Sequence, residues 1–485
     1  MELIDLCKKI IGINSVSVPE GTKELVQFLS PLLEKLGFQI QTQEVLVHGH
    51  PNLNLLAKLG PHRNCAELLV NVHLDTVSPG PPKAWNVCGE NPFQATIKND
   101  FLYGLGSADT KLAMACLLLG VENVLNHSSK SPSNWRHPLW ILGTAGEEHG
   151  LIGADHALKE NFVKANYVFD SEPSELNIVW AHKGFCMSKI HFYYKKTLEK
   201  LTPSSYWKFS FLGEPAHSST PHLGQNAIHL AIQFLENHLK NNFNSFLPFS
   251  LKGGQAPNVI PGRAIMMALG KCDLTNFQKT LPPFVQLEEI KDLTKKPFLS
   301  FPLEIFIVLT KFYNEIQNWF QQWKKHTHGS FDPPYTTTST NIIEVQSKSI
   351  PHLVLSQDLR FIEKGEGELF IDRMKTLSEG LMKQYQNIQI DIQLDRLNNP
   401  LHGDPHHPFI EKTQKILQNI GLPGELKTKA GCTEGALFSS YGMPTLVIGP
   451  GKADNNIHKP NEKVAIKQLK DASRFYAKAI ETFCV

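Results

Sequence analysis

Five short segments hold residues whose types and spacing suit acid–base or metal chemistry. His73-Leu74-Asp75 falls within the apolar run "AELLVNVHLDTV" (66–77). On a strand, residues i and i+2 share a face, so the carboxylate would neighbour the imidazole and orient it. Taken alone, a satisfied strand-end histidine explains the pair better. Asp109 lies in the glycine-rich "YGLGSADTK" (103–111), ahead of an apolar helix. An N-cap is the bland reading, and the segment lacks the Lys-Ser/Thr pattern of a phosphate loop. Glu147 and Glu148 are adjacent in "TAGEEHG" (144–150), after another apolar run. Two carboxylates together at a sheet edge are costly unless a cation or shared proton compensates, so one binding metal while the other works on water is the economical arrangement. Glu172 in "DSEPSE" (170–175) and His458 in "GPGKADNNIHKPNE" (449–462) complete the set. Mixed imidazole and carboxylate ligation suits zinc, cobalt or manganese, whereas magnesium or calcium would not recruit two histidines.

The elements that must position these residues alternate strand, helix and strand. Two amphipathic helices are expected over 1–40, then strands at 37–45, 52–60 and 66–77. An apolar helix at 110–125, a buried strand at 137–148 and a strand with its loop at 165–173 follow. That order predicts an α/β domain with a mixed, mainly parallel sheet sandwiched by helices, its ligands at the carboxyl ends of the strands. From about 184 the segments read as antiparallel strands with a helix at 224–240. Residues 281–335 read as irregular, apart from an aromatic-rich helix near 304–325. The α/β pattern resumes near 402 and ends in a helix at 464–482. The expected organisation is therefore an α/β domain from 1–183 and 397–485, interrupted by an inserted α+β domain over 184–396.

Composition sets the outer limits. The chain has 485 residues, 41% hydrophobic and 19% charged, with a formal net charge of +2. That suits a folded chain and gives no electrostatic footprint for nucleic acid or an anionic membrane. No apolar run reaches the ~20 residues of a membrane span. The eight cysteines include no CxxC pair, and the first residues lack a signal-peptide pattern, so reduced thiols and a cytoplasmic address are expected.

Taken together, "HLDTV", "LYGLGSADTK", "ILGTAGEE", "SEPS", "GEPAHSSTPHLGQNAI", "NVIP" and "CTEGALFSSYGMPTLVIGPG…HKPNE" resemble the zinc-dependent exopeptidase and deacylase family. It includes acetylornithine deacetylase, succinyl-diaminopimelate desuccinylase, aminoacylase and glutamate carboxypeptidase. "GCTEGALF" and "PTLVIGPG" look most like the acetylornithine deacetylase variants. The resemblance implies two divalent cations, zinc first, with cobalt or manganese as alternatives. Asp109 would bridge them, with His73 and Glu172 on one and Glu148 and His458 on the other. Asp75 would orient His73, and Glu147 would serve as general base. His217 of "GEPAHSSTP" would stabilise the transition state. Asn258 of "GGQAPNVIP" and Arg360 of "VLSQDLRF" would hold a substrate carboxylate, with Arg263 the weaker candidate and Asn341 competing with Asn258. The implied reaction is amide hydrolysis of an N-acyl-L-amino acid of the acetylornithine kind. A dipeptidase or carboxypeptidase reaction, and a catalytically silent binding protein on the same fold, are the alternatives. The partner is then a small N-acyl amino acid or dipeptide.

Two departures qualify the resemblance. Much of the chain between Asn258 and Arg360 matches nothing in the compact family plan. A lid or dimerisation-type domain enlarged in this way implies either a homodimer or a monomer whose extra structure mimics a partner. "HGDPHHP" (402–408) gathers His402, His406 and His407, but its place in the linker re-entering the catalytic domain favours ordinary polar histidines.

Overall fold

The computed structural model describes residues 2–485 except 202–204, 217, 219–220, 241–244, 255–258, 292–297, 326 and 346–350. His217, Asn258 and His326 lie outside the described residues. The chain divides into two compact units, 1–182 with 401–485, and 183–400.

In the first unit, α1 (Leu3–Gly12) buries Leu3, Leu6, Cys7, Ile10 and Ile11. Their spacing is that of one helical face. After α2 (Lys23–Lys35) come β1 (Gln39–Val47), β2 (His50–Leu59) and β3 (Ala66–His73). Next are α3 (Leu112–His127), β4 (Leu139–Thr144), α4 (Ile152–Lys159), β5 (Ala165–Asp170) and β6 (Ile178–His182). The chain then builds the second unit. This comprises β7 (Gly184–Tyr194), β8 (Ser205–Leu212), α5 (Ala227–Lys240), β9 (Phe246–Gly253), β10 (Arg263–Gly270) and β11 (Val285–Lys291). It continues with α6 (Leu303–Trp323), β12 (Thr337–Val345), β13 (His352–Phe361), α7 (Glu366–Gln384) and β14 (Ile388–Asn398). The chain returns to the first unit with β15 (Leu401–His402), α8 (Pro408–Asn419), β16 (Leu426–Lys429), α9 (Gly435–Ser440), β17 (Thr445–Val447) and α10 (Ile466–Phe483).

The nine strands of the first unit's large sheet run β1-β2-β4-β3-β5-β17-β6-β15, with β16 pairing β6. Its centre, β4-β3-β5-β17, is parallel, while β1, β2 and β15 pair antiparallel at the margins. The sheet is thus mixed, and parallel chiefly where chemistry is expected. Every side chain of β4 is buried, as a strand covered on both faces requires. Helix α3 is apolar nearly all round because α10 lies against it. A Cβ at Gly120 would come within 3.0 Å of the Ser473 carbonyl and the Ala477 nitrogen, so glycine permits that approach.

The second unit's main sheet is antiparallel, in the order β11-β8-β10-β9-β12-β13-β7-β14 among the described residues. One face packs under α5, α6 and α7 through Phe192, Phe209, Leu355, Leu359, Phe312 and Phe370. The stretch expected to be irregular over 281–335 contains β11 as well as α6. Only one residue of "VQLEEIK" is buried, which is how an edge strand escapes an apolar-pattern reading.

All eight cysteines are free thiols. Among the described residues, no helix is long and apolar enough to cross a membrane.

Candidate metal centre

The carboxyl ends of the first unit's central strands gather the residues that stood out in the sequence. His73 ends β3 and is buried. Its Nδ1 is 3.0 Å from the Asp75 carbonyl oxygen. That bond places a proton on Nδ1, since a carbonyl only accepts, and turns Nε2, the atom metal ligation needs, toward the cluster. Nε2 lies 3.1 Å from Asp109 Oδ1 and 3.5 Å from Glu172 Oε1.

Asp75 differs from expectation. The strand stops at His73, so Asp75 stands in the following loop, its carboxylate 3.7 Å from His73 Nδ1. Oδ1 instead accepts the Glu147 N–H (3.2 Å), and Oδ2 accepts the Glu148 N–H (3.3 Å) and the Ser17 hydroxyl (2.6 Å). Asp75 therefore orients His73 through its main chain and the Glu147–Glu148 turn through its side chain.

That turn follows β4 and passes through Gly146 at φ +70, where a Cβ would also meet Val47 at 2.7 Å. A positive φ and a blocked Cβ direction both call for glycine there. Across the cluster, His458 Nε2 sits 3.1 Å from Glu148 Oε2 and 3.0 Å from Asp109 Oδ2. Asp109 thus directs one oxygen to each imidazole. Ligand atoms of His73, Asp109 and Glu148 all lie within 4.8 Å of one another.

Asp109 caps no helix. The residue before α3 is Lys111, with no side-chain cap. The Asp109 loop is held by Glu462, whose Oε1 accepts the N–H groups of Ala108 (2.7 Å) and Asp109 (3.0 Å) while Oε2 accepts that of Gly106 (3.3 Å). The Thr110 hydroxyl donates to the Ser171 carbonyl (2.5 Å), tying this loop to the one carrying Glu172. Behind the cluster, Glu434 Oε2 accepts from Asn71 (2.7 Å) and Thr144 (2.6 Å), stitching the ends of β3 and β4 to the start of α9.

The electrostatics call for a cation. Burial, with Glu148, Glu172 and Glu434 adding and His73 opposing, raises Glu147 well above the carboxylate range. Burial also raises Glu172, to about 7, against the pull of Lys429. For His458 burial opposes the charged ring, but bonds to Asp109 and Glu148 outweigh it and lift the imidazole to about 11. Buried like-charged carboxylates facing two imidazoles form a nitrogen-and-oxygen donor set that fits a divalent transition metal.

Lys429, Glu462 and Glu434 had no assigned role in the sequence reading. Glu462 and Glu434 stand inside quoted motifs, so the signal was present. Lys429, a single lysine closing a four-residue strand, gave none. Lys429 Nζ lies 3.1 Å from Glu172 Oε2.

The second unit holds Arg360 on β13. It forks onto Asp358, Nε to Oδ1 at 2.9 Å and Nη2 to Oδ2 at 3.2 Å, and its guanidinium lies 4.0 Å over the Phe185 ring. Asp358 also accepts the Ser218 hydroxyl (2.8 Å). Asn341 is buried on β12 opposite Ser356, and Arg263 on β10 donates to Ser210 (3.2 Å). Among the described residues, the histidines of 402–407 enter no metal-competent group. His407 instead accepts the Phe409 N–H at the start of α8.

The sequence pattern of peptidase family M20/M25/M40 matches residues 69–482. The chain belongs to this family. An M20 hydrolase framework accounts for the mixed sheet and the ligand cluster at its carboxyl edge. Acetylornithine deacetylase of Vibrio cholerae serotype O1 is 25% identical over 492 aligned residues, spanning 99% of this chain and 98% of that one. The acetylornithine deacetylase of Proteus mirabilis is 30% identical over 277 residues, covering 53% and 63%. Among solved M20-like folds, an aminoacylhistidine dipeptidase from Vibrio alginolyticus superposes with a TM-score of 0.69 at 16% identity, covering 99% of this chain and 96% of that one. A family metallo-carboxypeptidase from Sulfolobus solfataricus gives 0.60 at 18%, covering 100% and 99%.

Proposed function

We propose that this chain is a dinuclear metal-dependent amidohydrolase that removes the acyl group from an N-acyl-L-amino acid of the acetylornithine kind. The observation that carries the reading is Asp109, with Oδ1 directed to His73 and Oδ2 to His458. His73, Asp109 and Glu172 would hold one cation, and Glu148, Asp109 and His458 the other. Bound there, the cations would polarise the acyl carbonyl and acidify water.

The chain's own groups supply the rest. Asp75 fixes the Glu147–Glu148 turn by accepting both N–H groups, so the two carboxylates take different tasks. Glu147 takes a proton from the attacking water as the new C–O bond forms. It then delivers that proton to the amide nitrogen as the C–N bond breaks, giving free carboxylate and amine. The loop bonds of Glu462 and Thr110 keep Asp109 and Glu172 from following the reacting atoms. Arg360, held by Asp358 and stacked on Phe185, is the residue proposed to meet a substrate carboxylate. The long match to curated acetylornithine deacetylases supports the acyl-amino-acid choice over a dipeptide.

A hydrolysis panel tests the reading. With zinc, cobalt or manganese supplied, N-acetylornithine should be cleaved with the highest kcat/KM among N-acetyl amino acids, N-succinyl-diaminopimelate and dipeptides. Preference for a dipeptide would replace the substrate assignment, and absence of any amide hydrolysis would remove the enzymatic one.

A further inference from the structure

The two imidazole-bearing halves of the cluster are not equivalent, and the difference is Lys429. Around His458, Glu148 turns both oxygens inward, Oε1 at 3.2 Å and Oε2 at 3.1 Å from Nε2. Around His73, Glu172 turns in one. Its Oε1 is 3.5 Å from His73 Nε2, while Oε2 is taken by Lys429 Nζ at 3.1 Å. Among the described residues, no other carboxylate of the cluster has an ammonium within 4.0 Å. The pairing is built in. Lys429 closes β16, which runs parallel to β6 with Lys429 opposite His182, and both Glu172 and the lysine chain are largely shielded from water.

We infer that Lys429 is a positioning residue that confines Glu172 to one inward oxygen and makes the His73 half the weaker of two cation positions. The inference rests on the proposed metal-dependent reading. Two effects of the lysine compete. Its bond fixes the Glu172 rotamer, which aids ligation. Its positive charge and its hold on one oxygen oppose a divalent ion a few ångströms away. The second effect wins, because the Glu172 main chain stays bonded to the Asp170 carbonyl (3.1 Å) without the lysine, whereas charge repulsion in a shielded site is weakly screened. The cations then load in order, first at Asp109, Glu148 and His458, second at His73, Asp109 and Glu172. The second ion is the exchangeable one.

The test is titration of metal-free full-length protein with Zn²⁺ against a competing chelator. Co²⁺ absorption serves as a second readout of ligand environment. Wild type should take up two equivalents, the second about tenfold or more weaker than the first. K429M and K429Q should tighten the second step about tenfold while leaving the first within about twofold, and K429R should restore the gap. K429M approximates the lysine's volume and K429Q keeps a polar head, so a packing defect in one does not decide the matter. A second step unchanged or weakened in both variants overturns the inference while two-ion uptake leaves the functional reading standing. Wild type that takes up no cation overturns both.

Discussion

The two units use polar residues in opposite ways. In the first, His73 at a strand end and Asp109, Glu147 and Glu172 in the adjoining loops are buried together, and a further layer (Asp75, Glu462, Glu434, Thr110) is spent holding them still. In the second, the face of the sheet under α5, α6 and α7 packs through apolar and aromatic side chains, and the buried Arg360 is paired with Asp358 on the same strand. The contrast teaches where each kind of stability comes from. Carboxylates crowded together raise the energy of the first unit, and backbone N–H donors offset part of that cost. The second unit gains its stability from aromatic burial.

Three substitutions probe this contrast, in decreasing order of effect. E147Q removes the base while Asp75 still holds the turn, so kcat should fall by about 10²–10⁴-fold with two cations still bound. Steady-state kinetics beside metal analysis would show this, and near-normal turnover would move the proton transfer elsewhere. F312A empties the α6 side of the second unit's core, where the ring packs edge-on to Phe192 at 5.5 Å. Denaturant unfolding should lose about 3–5 kcal/mol, with Zn²⁺ affinity under native conditions within about twofold of wild type. A large loss of metal affinity would show that the units do not divide the labour as described. E462Q presents an amide N–H₂ to one of the N–H groups Glu462 now accepts, so the Asp109 loop should loosen and cation binding weaken about 10–100-fold. Unchanged binding would mean that the loop holds its shape by its own turn geometry.

The legible part of this molecule follows from the same contrast. His73, Glu148 and Glu172 could be picked out because they follow apolar runs, whereas Asp109, ahead of an apolar helix, and His458, in a polar loop, stood out through the motifs that carry the family resemblance. The apolar helices and central strands were readable from their apolar runs. Lys429 and the role of Glu462 were not, since their meaning comes from contacts with residues hundreds of positions away. For Asp75 the i, i+2 argument reaches only as far as the strand, which stops at His73, and the main-chain oxygen rather than the carboxylate lies 3.0 Å from Nδ1. The edge strand β11 was missed because only one of its residues is buried.

Strand order in the first sheet also has a consequence for how the chain is made. β17, drawn from residues 445–447, lies between β5 and β6, which both precede the second unit. During synthesis the second unit, contiguous in sequence, is complete while the first still lacks its middle strand and His458. A ribosome therefore carries a finished packing unit attached to an open sheet with a gap at its centre. The cluster of buried carboxylates gains His458 only after the whole second unit has been synthesised, so the site cannot close before that unit has emerged.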